Sequence, residues 1–101
     1  MLEVALLDVK PGQAREFEAA FRTAERIISS APGYLSHELE RGIENPDRYV
    51  LLVRWRSLED HTEGFRRSEA YQEWRRLLHH FYEPFPVVEH FAPLAQGSEP
   101  A

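Results

Sequence analysis

The segment Tyr49–Arg56 constrains the fold of this chain more than any other. It is a run of eight residues dominated by β-branched, aliphatic and aromatic side chains. Alternate residues from Tyr49 to Trp55 share one face, and Leu52 lies on a second apolar face. Because such a strand needs neighbours at both edges and cover on both faces, we expect it in the middle of a sheet.

Hydrophobic periodicity and turn residues predict five further elements. Strands are predicted at residues 3–9, 34–43 and 87–91, and helices at 13–30 and from 57 to about 82. Apolar residues from Phe17 to Ile28 follow the spacing of one buried helical face. The second helix begins with a capping box at Ser57, but its period slips, so we expect a break near Arg67 and Ser68.

The predicted order is strand, helix, strand, strand, broken helix, strand. This order indicates a ferredoxin-like α+β domain, with a four-stranded antiparallel sheet and both helices on one face. We expect residues 1–94 to form this single domain and residues 95–101 to be a flexible tail. Leu6 and Leu7, like Leu51 and Leu52, make the strands apolar on both faces. Since two helices cover only one face, we expect a second copy of the chain to pack sheet against sheet as a homodimer.

Composition excludes several classes of function. The chain has no cysteine, which removes disulfides, thiol nucleophiles and thiolate metal sites. Its net charge of −5 disfavours nucleic acid as a partner. No apolar run is long enough to cross a membrane and the first residues do not resemble a signal peptide, so we expect a cytoplasmic protein.

Four segments carry a resemblance to a known family. They are Pro11-Gly12, Ala31-Pro32-Gly33-Tyr34, the run from Tyr49 to His61, and Phe65 to Trp74. Together they resemble the antibiotic biosynthesis monooxygenase (ABM) domain family over about residues 2–93. The resemblance implies a dimeric α+β barrel with a pocket in each subunit between the sheet and the helices.

The family includes cofactor-free oxygenases of aromatic hydroquinones, haem-degrading enzymes and small proteins with no established reaction. The resemblance therefore implies a monooxygenase of a small aromatic or quinol-type substrate, with no cofactor and no metal. A non-catalytic ligand-binding or stress-associated dimer, its pocket filled by its own side chains, is the alternative. Haem degradation is less favoured, because the haem-degrading relatives place their iron-binding histidine where this chain has Trp74-Arg75. His79 lies about one turn further along.

His61 is the candidate catalytic base, since it shares a helical face with Phe65 and an imidazole titrates near neutrality. A helix-start histidine that bonds only to its neighbours is the alternative for His61. The candidate substrate-binding residues are aromatic or lie near the predicted rim of the pocket: Trp55, Phe65, Tyr71, Trp74 and His79. The same aromatic residues would also serve as an ordinary core.

The remaining charged residues are interpreted as structural. His37 and His90 are predicted on opposite edge strands, so they cannot share a metal ion within one subunit. The pairs Arg66-Arg67 and Arg75-Arg76 lie among acidic residues and indicate a solvated salt-bridge face. Arg54 is expected on the outer sheet face beside an acidic partner, for which the candidates are Glu38, Glu40 and Glu89.

Overall fold

The computed structural model of the chain describes residues 1–97. Four strands and two α-helices alternate as the sequence predicts: β1 (Leu2–Asp8), α1 (Ala14–Ile28), β2 (Tyr34–Arg41), β3 (Arg48–Trp55), α2 (Glu69–Leu78) and β4 (Val88–Phe91). A π-helical turn (Asp60–Gly64) and a 3₁₀ turn (Phe65–Arg67) precede α2, and a second 3₁₀ turn (His79–Phe81) follows it. Residues 95–97 have no regular secondary structure, and the rest of the predicted tail, 98–101, lies outside the described residues.

The strands form one antiparallel sheet in the order β2-β3-β1-β4. This confirms the ferredoxin-like topology and the interior position of the strand around Leu51. His37 on β2 and His90 on β4 lie on opposite edge strands, as expected. The pairing of β1 with β4 brings Glu3 opposite His90, so both side chains point to the same face of the sheet.

One face of the sheet is covered by the helices. Phe17, Phe21 and Ile28 on α1 are buried, which confirms the predicted apolar stripe of this helix. The two helices meet where the rings of Phe21 and Trp74 pack edge to face, with centroids 5.9 Å apart. The core therefore lies between this helical layer and the inner face of the sheet.

The second helix is broken at the predicted position. Ser68 has an extended backbone, and its Oγ accepts a hydrogen bond from the Tyr71 N–H at 3.1 Å. This is an N-cap, which lets α2 begin again after the 3₁₀ turn. The break separates the π-helical turn that carries His61 from α2.

The outer face of the sheet keeps large apolar side chains exposed. Leu6 is 52% exposed and Phe91 is 48% exposed. Arg54 lies on the same face and is exposed, but it makes no ion pair within residues 1–97. The acidic partner expected for Arg54 is therefore not found among the described residues. Edge-strand carboxylates such as Glu38 project into water instead.

Candidate functional site

A cavity of about 390 Å³ lies between the inner face of the sheet and the broken second helix. Glu3, Ala5 and Leu7 form its floor on β1, and Phe65 and Trp74 form part of its roof. This volume is within the range of small-molecule sites. The core side chains therefore do not fill the space under the broken helix.

Two ionisable side chains in the cavity wall are almost completely buried. Glu3 is 6% exposed and His61 is 3% exposed. The Trp55 indole N–H donates a hydrogen bond to Glu3 Oε1 at 2.9 Å, and His61 Nε2 lies 3.4 Å from the same oxygen. The His61 ring stacks on Trp55, with centroids 5.4 Å apart and planes 21° apart. Trp55 therefore fixes both the carboxyl group and the imidazole.

His90 extends this pair toward the edge of the sheet. Its Nε2 lies 2.9 Å from His61 Nδ1, a hydrogen-bond distance. Both nitrogens of His61 are thus engaged, one facing Glu3 and the other facing His90. His90 is half-buried, and it lies outside the set of side chains that line the cavity.

Burial determines the protonation of this cluster. It raises the pKa of the Glu3 carboxyl, while the Trp55 N–H and the Arg66 charge act in the opposite direction. Burial, the Arg66 charge and His90 together lower the pKa of His61 to about 4. Burial and Arg66 also lower the pKa of His90. His61 is therefore neutral at pH 7 but a weaker base than a free imidazole, whereas a carboxyl with a raised pKa is a stronger base than usual.

The local sequence explains how His61 comes to face the cavity. Ser57 Oγ accepts from the Asp60 N–H at 3.2 Å and donates to the Asp60 carboxylate at 3.0 Å. Gly33, at φ 83°, leaves room for Asp60, because a Cβ there would overlap its side chain. A backbone bond from the Phe65 N–H to the Asp60 carbonyl then forms the π-helical turn. Turns of this kind are often found at functional sites, and this one holds His61 against the sheet.

The structure brings four of the five predicted substrate-binding residues to the cavity. Phe65, Tyr71, Trp74 and His79 line it. The rings of Phe65 and Tyr71 pack at right angles, 5.6 Å apart, and Phe65 lies 6.0 Å from Trp74. Trp55 does not line the cavity, because its indole is fully buried behind His61. Trp55 therefore supports the side chains of the site and does not offer a surface to a ligand in the cavity.

His79 is more enclosed than its place in the sequence suggested. It is half-buried, and among the described side chains its Nδ1 is the one buried nitrogen or oxygen without a hydrogen-bond partner. The rings of Tyr71, Tyr82 and Phe85 surround it at centroid distances of 5.9, 6.0 and 5.0 Å. Burial and Arg75 lower the pKa of His79. A polar group of a ligand could satisfy this nitrogen.

The solvated face predicted for the arginine pairs needs one correction. Arg67 pairs with Glu63 at 2.7 Å, and Arg76 bonds to Glu73, as expected. Arg66 instead lines the cavity, where its charge lowers the pKa of His61. The 3₁₀ turn separates the two neighbours: Arg67 faces its helical partner, and Arg66 faces the site.

Sequence reasoning also missed Glu3 and His90. Glu3 did give a signal, because it is in phase with the buried residues Ala5 and Leu7 and so puts a carboxyl on the inner face. His90 gave none, since its contact with His61 depends on the register between β1 and β4.

Within residues 1–97, no group of three or more histidine and acidic side chains is arranged to hold a metal ion. No helix in that same part of the chain is long and apolar enough to span a membrane.

Comparisons with known proteins agree with this architecture. The family model described as antibiotic biosynthesis monooxygenase matches residues 1–77. The uncharacterised protein YczJ of Bacillus subtilis is 57% identical over 89 residues, which cover 88% of this chain and 94% of YczJ. A crystal structure from Bordetella bronchiseptica, described as a candidate antibiotic biosynthesis monooxygenase, matches with a TM-score of 0.88 and 35% identity. That match covers 93% of this chain and 96% of the other.

A more distant relative carries the name of a specific reaction. The mycobilin-producing haem oxygenase of Mycobacterium tuberculosis is 24% identical over 74 residues. The match covers 73% of this chain and 61% of that protein. One relative has a named reaction and YczJ is uncharacterised, so the chemistry of this chain must be argued from its own side chains.

Proposed function

The chain belongs to the antibiotic biosynthesis monooxygenase family, and we propose that it is a cofactor-independent monooxygenase of a small aromatic or quinol-type substrate. The observation that carries the proposal is the buried Glu3–His61 pair in the wall of a cavity of about 390 Å³. A packed, non-catalytic core would have neither the space nor the buried ionisable pair.

The proposed reaction needs a proton acceptor and a dry, apolar cavity. The substrate hydroxyl loses its proton to the Glu3–His61 pair, with His61 neutral at pH 7. The resulting electron-rich phenolate passes electrons to O₂, so the substrate is its own reductant. One oxygen atom enters the ring as a carbonyl, and the other leaves as water, whose two hydrogens equal in number the two that the substrate loses. Phenol plus O₂ thus gives quinone plus water, and the reaction balances without an external reductant.

The cavity walls suit a planar ligand. Phe65 and Trp74 offer aromatic surface, against which an aromatic ring packs favourably. Tyr71 and the free Nδ1 of His79 offer polar contacts away from the acid–base pair. In this proposal they orient the ring, while Trp55 holds Glu3 and His61 in place.

We also propose that a second copy of the chain covers the outer sheet face, as a homodimer in the cytoplasm. Exposed Leu6 and Phe91 supply the apolar area for this contact. Arg54, which has no ion-pair partner within residues 1–97, would lie at its border. The self-contact repeats one patch about a two-fold axis, as most homodimers do.

Haem degradation is a poorer fit to this site. His79 offers the free nitrogen that an iron ligand needs. The rings of Tyr71, Tyr82 and Phe85 pack around that imidazole at centroid distances of 5.0 to 6.0 Å, where a porphyrin face would compete with them for contact. The residues around His79 therefore do not fit an axial haem ligand.

The test is oxygen uptake by the purified, metal-stripped protein with a panel of electron-rich phenols and hydroquinones. Uptake above the spontaneous rate, lost in His61→Ala and kept in His80→Ala, supports the proposal. His80 is exposed on the 3₁₀ turn after α2 and does not line the cavity, so it is a matched control. Ligand binding without uptake across the panel would support the non-catalytic binding protein instead. Circular dichroism of both variants checks that they are folded.

A further inference from the structure

Glu3, His61 and His90 form a continuous line of ionisable groups that begins inside the cavity and ends at the edge of the sheet. Glu3 and His61 line the cavity, and His90 lies on the edge strand β4. The links are 3.4 Å from Glu3 Oε1 to His61 Nε2 and 2.9 Å from His61 Nδ1 to His90 Nε2. His61 is hydrogen-bonded to His90 through Nδ1, and its Nε2 lies beside Glu3, so the imidazole can take up a proton on one side and release one on the other.

The entrance to this line is open to the cavity. Trp55 donates to Glu3 Oε1, which leaves Oε2 without a hydrogen bond among the described residues. Oε2 is nevertheless not fully buried, because His79 Nδ1 is the one fully buried polar side-chain atom without a hydrogen-bond partner among those residues. Glu3 Oε2 is therefore accessible from the cavity that it lines. A substrate hydroxyl could reach it there.

We propose that His90 is the proton exit of the site, and that Glu3, His61 and His90 relay the substrate proton from the cavity to solvent. This inference rests on the proposed oxygenase function. Glu3 begins as the neutral acid with its proton on Oε1. As Oε2 accepts the proton from the substrate, the Oε1 proton passes to His61 Nε2. His61 passes its Nδ1 proton to His90 Nε2, and His90 releases its own Nδ1 proton to water. One proton enters and one leaves, so His61 stays neutral, and solvent returns a proton when the second oxygen atom becomes water.

The charges around the cluster favour this direction of transfer. Arg66 lies close enough to disfavour a positive charge on both His61 and His90. A proton therefore does not remain on either imidazole. The half-buried position of His90 gives it access to water that the nearly buried His61 lacks.

The test compares His90→Gln with His80→Gln. A glutamine amide oxygen can still accept a hydrogen bond from His61 Nδ1, but it cannot pass a proton on. We expect His90→Gln to lower kcat for oxygen uptake about tenfold or more in dilute buffer, with KM within about twofold of wild type. Added imidazole should restore the rate in proportion to its concentration, and His80→Gln should match wild type. A rate that stays at the wild-type level in dilute buffer, or that no buffer restores, would refute the relay.

A second readout does not depend on turnover. A nitrophenol that resists oxidation reports its own ionisation by colour when it binds, and a pH indicator reports proton release to solvent. The relay predicts that both signals appear in wild type and that His90→Gln delays the release about tenfold. If wild type ionises the probe but consumes no oxygen with any substrate, the proposed function fails and the relay stands. If the probe is not ionised, or the variant releases protons as fast as wild type, the relay fails.

Discussion

The neutral state of buried His61 should make the protein sensitive to mild acid. The pKa of this imidazole is 6.5 in the unfolded chain and about 4 in the folded one. A lowered folded-state pKa stabilises the fold at high pH, and this contribution is lost as the pH falls from about 6.5 toward 4. At pH 5 the unfolded chain carries the proton and the folded chain largely does not.

These pKa values give the size of the effect. Integrating the proton linkage between pH 7 and pH 5 gives a loss of about 1.8 kcal/mol, or about 1.5 kcal/mol once screening by water at the cavity is allowed for. For a domain of this size, that loss corresponds to a fall in Tm of about 8 °C. Other groups contribute as well: the lowered pKa values of His79 and His90 act in the same direction, and the raised pKa of Glu3 acts in the opposite one.

The assay is denaturant unfolding of wild type, His61→Gln and His80→Gln at pH 7 and pH 5. The difference in unfolding free energy between wild type and His61→Gln should shrink by about 1.5 kcal/mol on acidification, because glutamine does not titrate. His80→Gln should follow wild type at both pH values. If His61→Gln shows the same loss as wild type, His61 is not held uncharged in the folded protein, and the argument for a neutral proton acceptor is wrong.

Three further predictions test the surface, the broken helix and the cavity. Leu6→Asp should convert the proposed dimer to a monomer in sedimentation experiments at micromolar concentration, because it puts a carboxylate in an apolar contact. The control Leu94→Asp, at a fully exposed position, should leave the dimer intact. A wild-type monomer would refute the dimer. Ser68→Ala should cost about 1 kcal/mol of unfolding free energy through loss of the N-cap, and an unchanged value would show that the cap contributes nothing. Ala5→Leu should reduce ligand affinity at least tenfold, because the added carbons of leucine enter the cavity. The same space should keep the change in unfolding free energy below about 1.5 kcal/mol. Undiminished affinity would place the ligand elsewhere.

The fold could be predicted because its signals are local and mutually consistent. The apolar stripe of α1, from Phe17 to Ile28, has one period throughout. Ser68 marks the start of α2 with a side chain that caps the helix. The direction of the His79 side chain depends on a departure from such a period. Continuing the α-helical phase past Leu78 places His79 at the rim, but the chain tightens there into a 3₁₀ turn, which changes the angle between successive side chains. His79 therefore faces the cavity.

The site was harder to predict because its contacts are distant in sequence. His61 and Phe65 are four residues apart, so their shared face could be inferred. The contact of His61 with His90 spans 29 residues and requires both the strand order and the register of β4. No local pattern carries that information.

The case for a functional role of Glu3 does not depend on the register between strands. Its neighbours in phase, Ala5 and Leu7, are buried apolar residues, and an apolar side chain at position 3 would continue the core at lower cost. The chain instead buries a carboxyl there and supports it with the Trp55 N–H and His61. This departure from the core pattern raises the pKa of Glu3 and lowers the pKa of His61. The fold itself does not require either shift. This arrangement suits proton transfer, which is why we propose the Glu3–His61 pair, rather than the aromatic residues around it, as the acid–base group of the site.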